Sequence, residues 1–197
     1  RATRIAQYLL TAPKEYICVM HIHKKLSEAQ IKSTLSFFIG KIKQLPPIKS
    51  AVKREERVRE IYELEILEII DQEVLFRVKC QAGTYIRKLC HDIGEHLGCG
   101  AHMANLRRSQ AGPFRENNNL VTLQDLTDAF YYYTEQKNDA YLRYCIQPIE
   151  NSLGHIAKIW IFDSAIESIS NGRDVGAPGI SKLENFKKND TVAVLSL

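Results

Sequence analysis

Apolar and polar residues change period along the chain, and each change marks an element. From Lys14 to His23 (KEYICVMHIH), Tyr16, Cys18, Met20 and Ile22 recur at every second position, the period of a strand. Two more alternating runs come next. In residues 59–70 (REIYELEILEII), Tyr62, Leu64 and Ile66 are set against Glu63 and Glu65. In residues 73–80 (EVLFRVKC), Val74, Phe76, Val78 and Cys80 point one way, Arg77 and Lys79 the other. Asp71 and Gln72 alone separate the two runs, so they read as a tight hairpin. A short strand and turn are expected at 106–114 (LRRSQAGPF).

Helical spacing occupies the gaps. Residues 2–10 read as the end of a helix that Pro13 stops. Ser27 opens another, with Gln30 three residues on to complete a capping box; Ile31, Leu35 and Phe38 form its apolar stripe and Gly40 its stop. After Gly83, with Thr84 as expected N-cap, Ile86, Leu89, Cys90, Ile93 and Leu97 share one face, and Gly98 and Gly100 close the helix. Thr122 and Asp125 cap the next. From Trp160 the texture changes to a strand, a short helix capped by Asp163 and a glycine-rich loop. These elements predict an α/β (α+β) fold: a mixed, largely antiparallel sheet with flanking helices over 1–153, and a small β-rich part over 154–197. Both ends read as cut, the first inside a helix and the last (DTVAVLSL) inside a strand, so a fragment of a longer protein is expected.

Composition narrows the class. The 197 residues are 45% hydrophobic and 25% charged, an ordinary globular profile. No apolar run approaches a membrane span, and no leader is visible. Net charge is +4, too mild to imply nucleic acid by itself. Its distribution says more: Lys41, Lys43, Lys49, Lys53, Arg54, Arg57 and Arg59 stand against only Glu55 and Glu56, around Pro46-Pro47. On composition this segment is either a solvated loop or a phosphate-contacting one. The odd count of five cysteines, with no CxxC pair, fits reduced thiols better than a disulfide framework.

The stretch AGTYIRKLC (82–90) carries the candidate chemistry. Arg87 falls in the first turn of a helix, where the dipole disfavours a cation. Either it is simply exposed, or it faces a carboxylate brought from elsewhere in the fold, held by the two donors of its planar fork. Tyr85 would line the same crevice. Cys90, His91, His96, Cys99 and His102 match no standard zinc spacing. His21 and His23 share a strand face with no third ligand nearby, so pairing with neighbours is expected. Tyr131 to Tyr133 fall within one helix and are expected to divide between core and surface.

Taken in order, these stretches resemble the TruB/dyskerin family of RNA pseudouridine synthases, and most closely its archaeal guide-RNA (H/ACA) branch. RATRIAQYL is similar to the helix after that family's catalytic loop, KEYICVMHIH to its Lys-x-Tyr strand, and LPPIKSAVKR with IYELEI to its Pro-Pro segment and following strand. CQAGTYIRKLCHDIGEHLG and GAHMANLRRSQAGPF resemble its third motif and the stretch after that motif, and IWIFDSAIESISNGRDVGAPGI the start of a PUA domain. The resemblance implies isomerisation of uridine to pseudouridine, with no cofactor or metal. It casts Arg87 as partner of the essential aspartate and Tyr85 as base. It places Tyr16 against the flipped uracil, and Ile86 and Leu106 against substrate. Lys49, Lys53, Arg54 and Arg57 would contact RNA backbone.

The family's aspartate lies in a Gly-Thr-Leu-Asp-Pro type motif, which is absent from these 197 residues. A preceding segment is expected to supply it; loss of the residue, leaving an RNA-binding scaffold, is the alternative. The resemblance further implies guide RNA, substrate RNA and the small core proteins of an H/ACA particle as partners, no membrane, and a cytoplasmic location, or nucleolar in a eukaryote. A stand-alone tRNA-modifying enzyme is the third reading.

Overall fold

The computed structural model describes residues 2–46, 53, 55–117 and 119–197. They form two compact units, Arg1–Leu120 and Val121–Leu197.

The first unit begins with a short 3-10 turn and helix α1 (Ala6–Thr11). Next come strand β1 (Lys14–Ile22), helix α2 (Glu28–Phe37), strand β2 (Gly40–Gln44) and strand β3 (Arg57–Ile70). Strand β4 (Glu73–Cys80), helix α3 (Ile86–His96), strand β5 (Ala101–Ala111) and strand β6 (Phe114–Arg115) complete it. The strands make one sheet in the order β2-β3-β4-β1-β5-β6, each neighbouring pair antiparallel.

The alternating runs do what their period requires. Cys18, Met20 and Ile22 of β1 and Val74, Phe76, Val78 and Cys80 of β4 are buried on one face of the sheet. Ile86, Leu89, Cys90 and Ile93 of α3 pack onto them, joined by Ile31 and Leu35 of α2. Gly94 lets α3 approach β5 closely: a Cβ there would lie 2.0 Å from the backbone nitrogen of Ala101. Asp71 makes the tight β3–β4 turn in the left-handed region, φ 51°. The Ser27–Gln30 capping box forms as read.

Several expectations are corrected. Tyr62 is not an inward residue of β3. Register shifts at Ile61/Glu63 and Ile66/Glu68 insert one extra residue each, so the inward set runs Ile61, Leu64, Ile66, Ile69, and Tyr62 is left 39% exposed. The segment after Gly40 is not all loop: Gly40–Gln44 pairs with β3 as an edge strand, and α2 already ends at Phe37. Strand β5 starts at Ala101, well before Leu106. The N-cap of α3 is Tyr85, while the Thr84 hydroxyl donates back to the Gln81 carbonyl at 2.7 Å. A third imidazole does stand near His21 and His23. Pairing of β1 with β5 sets His102 opposite His21, and His102 Nδ1 lies 2.8 Å from His23 Nε2. His21 is bonded instead to Glu73, at 2.6 Å. Among the described residues no three His, Cys, Asp or Glu side chains are disposed to hold a metal ion.

The second unit holds helix α4 (Leu123–Gln136), with the Thr122–Asp125 capping box in place, and helix α5 (Ala140–Cys145), which the periodicity did not reveal. Beyond them lie strand β7 (Ala157–Ile161), helix α6 (Asp163–Ser170), strand β8 (Ile180–Leu183) and strand β9 (Val192–Ser196). β7 lies centrally, antiparallel to β8 and parallel to β9. Phe162, not Asp163, is the N-cap of α6. Tyr131, Tyr132 and Tyr133 do not divide between core and surface: all three are exposed, and Ala129 is the buried residue of α4.

Candidate active site at the start of helix α3

Where β4 ends at Cys80, the chain must turn sharply to lay α3 back across the sheet. Gly83 allows this with φ +80°. The turn is backed by Arg59 of β3, whose Nε and Nη2 would lie 3.3 Å from any Cβ at position 83. Tyr85 then enters as N-cap in extended geometry, φ −95° and ψ 102°, without a side-chain cap of its own. Buried Gln44 reaches it from the end of β2. Tyr85 N–H donates to Gln44 Oε1 at 3.0 Å, and Gln44 Nε2 donates to the Tyr85 carbonyl at 3.2 Å. The same carbonyl accepts the first helical bond, from Leu89 N–H at 3.0 Å.

Ile86 and Arg87 occupy the next two helical positions. Ile86 is 4% exposed and belongs to the core; Arg87 is exposed. The first turn contains no acidic residue, and Arg87 makes no ion pair with another described residue. The two aspartates of this unit are engaged elsewhere: Asp71 with Lys25 at 2.8 Å, and Asp92 with Lys88 one turn along α3. A helix N-terminus carries partial positive charge, and Arg87 adds a full one. A carboxylate brought there meets both.

Strand pairing brings Tyr16 and Leu106 to the same end of the sheet. Tyr16 pairs with Val78 of β4 and Arg108 of β5, and Leu106 pairs with Cys18, so the two are diagonal neighbours on one face. That face is core at Cys18, yet Leu106 is 37% exposed, so the apolar floor comes to the surface here. Tyr16 is half-buried against the core cluster, with the Arg108 guanidinium carbon 6.0 Å from its ring centroid. Burial raises the Tyr16 hydroxyl above its usual range, and the Cys80 thiol adds to this against the opposing charge of Arg108. Burial likewise pushes Cys80 up to about 11. Lys14 is lowered by burial and by Arg108, and it donates to the Leu9, Leu10 and Ala12 carbonyls at the end of α1.

The basic segment is reached in part. Lys49 and Arg54 lie outside the described residues. Lys53 is exposed and pairs with Glu55, while Lys43 pairs with Glu56 at 3.2 Å, which lowers the local positive charge. Arg57 pairs in the sheet with Gln44, the residue that holds Tyr85. The basic strand pair and the GTYIR turn therefore meet at one corner.

Three residues were not legible from the sequence as parts of a site: Gln44 and Arg59 at the turn into α3, and Arg108 beside Tyr16. Arg59 was legible as a charge of the basic segment. Its place beneath Gly83, with a buried Nε that no described group satisfies, needs the sheet order. Arg107 and Arg108 look alike in sequence, but strand alternation sends Arg107 to a forked bond with Glu116 at 2.5 and 2.8 Å and Arg108 to Tyr16.

The first unit thus carries an exposed arginine and a tyrosine at the start of α3 and a half-buried tyrosine ring on β1, and comparison with known proteins supplies the family. Residues 21–86 match the TruB family pseudouridylate synthase N-terminal domain, residues 87–154 the tRNA pseudouridylate synthase B C-terminal domain, and residues 157–197 the PUA domain. The chain belongs to the TruB family of pseudouridylate synthases. It is 52% identical to the protein named "Probable tRNA pseudouridine synthase B" of Methanothermobacter thermautotrophicus, and 50% identical to the protein of the same name from Thermococcus onnurineus. Each match covers 100% of this chain but 61% and 59% of the relative, so the chain spans about three fifths of those proteins. Among solved structures it resembles a chain of a Cbf5-Nop10-Gar1 complex, with TM-score 0.91 and 47% identity over 99% of this chain and 60% of that one. It also resembles a chain of an H/ACA RNP bound to a substrate RNA containing 2'-deoxyuridine, with TM-score 0.88 and 44% identity over 99% and 59%.

Proposed function

We propose that the protein containing this chain isomerises uridine to pseudouridine in RNA, as the catalytic subunit of a guide-RNA particle. One observation carries the reading, the match of residues 21–86 and 87–154 to the two TruB-family domains, and the corner is compatible with it: Arg87 stands exposed at a helix start whose first turn holds no acid, next to Tyr85 and on the same unit as the half-buried ring of Tyr16. Such a corner holds a carboxylate in a fixed direction and at low pKa. The family's Gly-Thr-Leu-Asp-Pro type motif is absent from these 197 residues, so the aspartate would be supplied by protein outside them.

The reaction needs no net oxidation. The bond from the ribose C1′ to N1 breaks, one from C1′ to C5 forms, C5 releases a proton and N1 takes one. Arg87 fixes the aspartate that acts at the sugar. Tyr85 takes the C5 proton; a tyrosine with a pKa of about 10 is a weak base, so placement must assist it. Tyr16 offers a ring to a base leaving its stack, at a cost of a few kcal/mol. Lys49, Lys53, Arg54 and Arg57 hold RNA backbone, a contact that weakens as salt rises.

The guide-RNA assignment is supported by the likeness to chains from H/ACA structures, and its partners would be guide RNA and small core proteins of the kind those structures contain. The names of the relatives favour a second reading, direct modification of tRNA. Full-length protein given substrate RNA with and without guide RNA separates the two. Pseudouridine formed only with guide supports the first, and pseudouridine in tRNA without guide supports the second. Binding of RNA without turnover in either case overturns both and leaves a scaffold.

A further inference from the structure

We infer that Gln44 is a positioning residue for the reaction, acting through the backbone of Tyr85; the assignment rests on the function proposed above. Gln44 is 2% exposed, and both polar atoms of its carboxamide are spent on one residue. A carboxamide is a peptide group on a stalk. Here it pairs with Tyr85 as a neighbouring strand would, accepting from the N–H and donating to the C=O. Tyr85 needs this because it is an N-cap without a side-chain cap, at the joint between a glycine turn and a helix.

The clamp sets two directions at once. The Tyr85 N–H and C=O belong to the peptide planes on either side of its Cα, so holding both sets the direction in which the tyrosine side chain leaves the backbone, and through the first turn that of Arg87 two residues on. Two neighbouring contacts act on other residues of the turn: Arg59 backs Gly83, and the Thr84 hydroxyl turns back to Gln81. Gln44 also ends the strand whose last position pairs with Arg57, so the Tyr85 backbone is referenced to the sheet itself. Few side chains serve. Glutamate keeps the acceptor and loses the donor, and methionine keeps the shape and loses both.

The test uses full-length protein, comparing Gln44→Met and Gln44→Glu with wild type in three readouts: single-turnover pseudouridine formation, RNA affinity and hydrogen exchange at the Tyr85 amide. Gln44→Met is expected to lose about 100-fold in rate with RNA affinity unchanged, and to expose the Tyr85 amide to exchange. Gln44→Glu is expected to keep that amide protected and still to lose rate, because a carboxylate oxygen then faces the Tyr85 carbonyl. A Gln44→Met protein of wild-type rate overturns the assignment. So does one whose rate, RNA affinity and melting temperature fall together, since that marks a purely structural residue. Should the methionine variant not fold, Gln44→Glu decides: a wild-type rate overturns the assignment, and a reduced rate with intact RNA affinity upholds it. Wild-type protein without turnover is a different failure, that of the enzymatic reading, and takes the positioning role down with it even where the amide readout still reports the clamp.

Discussion

Arg108 stands over Tyr16 across the β1–β5 pair, its guanidinium carbon 6.0 Å from the ring centroid. The ring is half-buried and backed by the core, so a base stacked on it, as proposed above, would find a ring with little orientational freedom left to lose. Base–aromatic stacking is worth about 1–3 kcal/mol. Tyr16→Ala in the full-length protein should therefore slow single-turnover pseudouridine formation by about 5- to 150-fold. Tyr16→Phe keeps the ring and should stay near wild type. An unchanged rate for Tyr16→Ala would exclude a stacking role.

Gly83 has φ +80°, and a side chain there would press on Arg59 at 3.3 Å. Gly83→Ala should destabilise by about 1–2 kcal/mol, from left-handed backbone alone. That corresponds to a melting temperature lower by roughly 2–8 °C. The turn also delivers Tyr85, so activity at low temperature should fall in the folded variant. A variant as stable as wild type would mean the turn has another low-energy shape.

Alkaline pH probes the corner beneath the site. Burial holds the Cys80 thiol protonated up to about 11, while the unfolded chain releases that proton near 9.0. Between those values the native state binds the extra proton, so stability present below the lower value is lost as pH rises, at about 1.4 kcal/mol per pH unit. Tyr16, also raised by burial, adds to this limb. Urea midpoints measured from pH 8 upward should fall less steeply for Cys80→Ala than for wild type. Parallel slopes would place the alkaline loss elsewhere.

The sheet was legible in the sequence because its inner strands alternate. β4 matches its reading position by position, and Asp71-Gln72 makes the turn between β3 and β4. The Ser27 and Thr122 caps were legible because a capping box is a local code. What failed was non-local. Two bulges in β3 reset the phase at Tyr62, and no periodicity announces a bulge. β2 is a five-residue edge strand with two lysines and a single large apolar residue, and its pairing with β3 is what gives it structure. The site divided in the same way. Tyr16, Tyr85, Arg87 and Leu106 were singled out by motif, but Gln44 is 41 residues from Tyr85 and reads as an unremarkable polar residue until the sheet brings them together.

The central claim is that Arg87 stands at the start of α3 to hold a catalytic carboxylate. Pseudouridine formation by full-length Arg87→Ala protein, measured beside its RNA affinity, tests this most directly. The expected result is that product falls below detection while RNA binding changes little. Activity retained in that variant would contradict the claim.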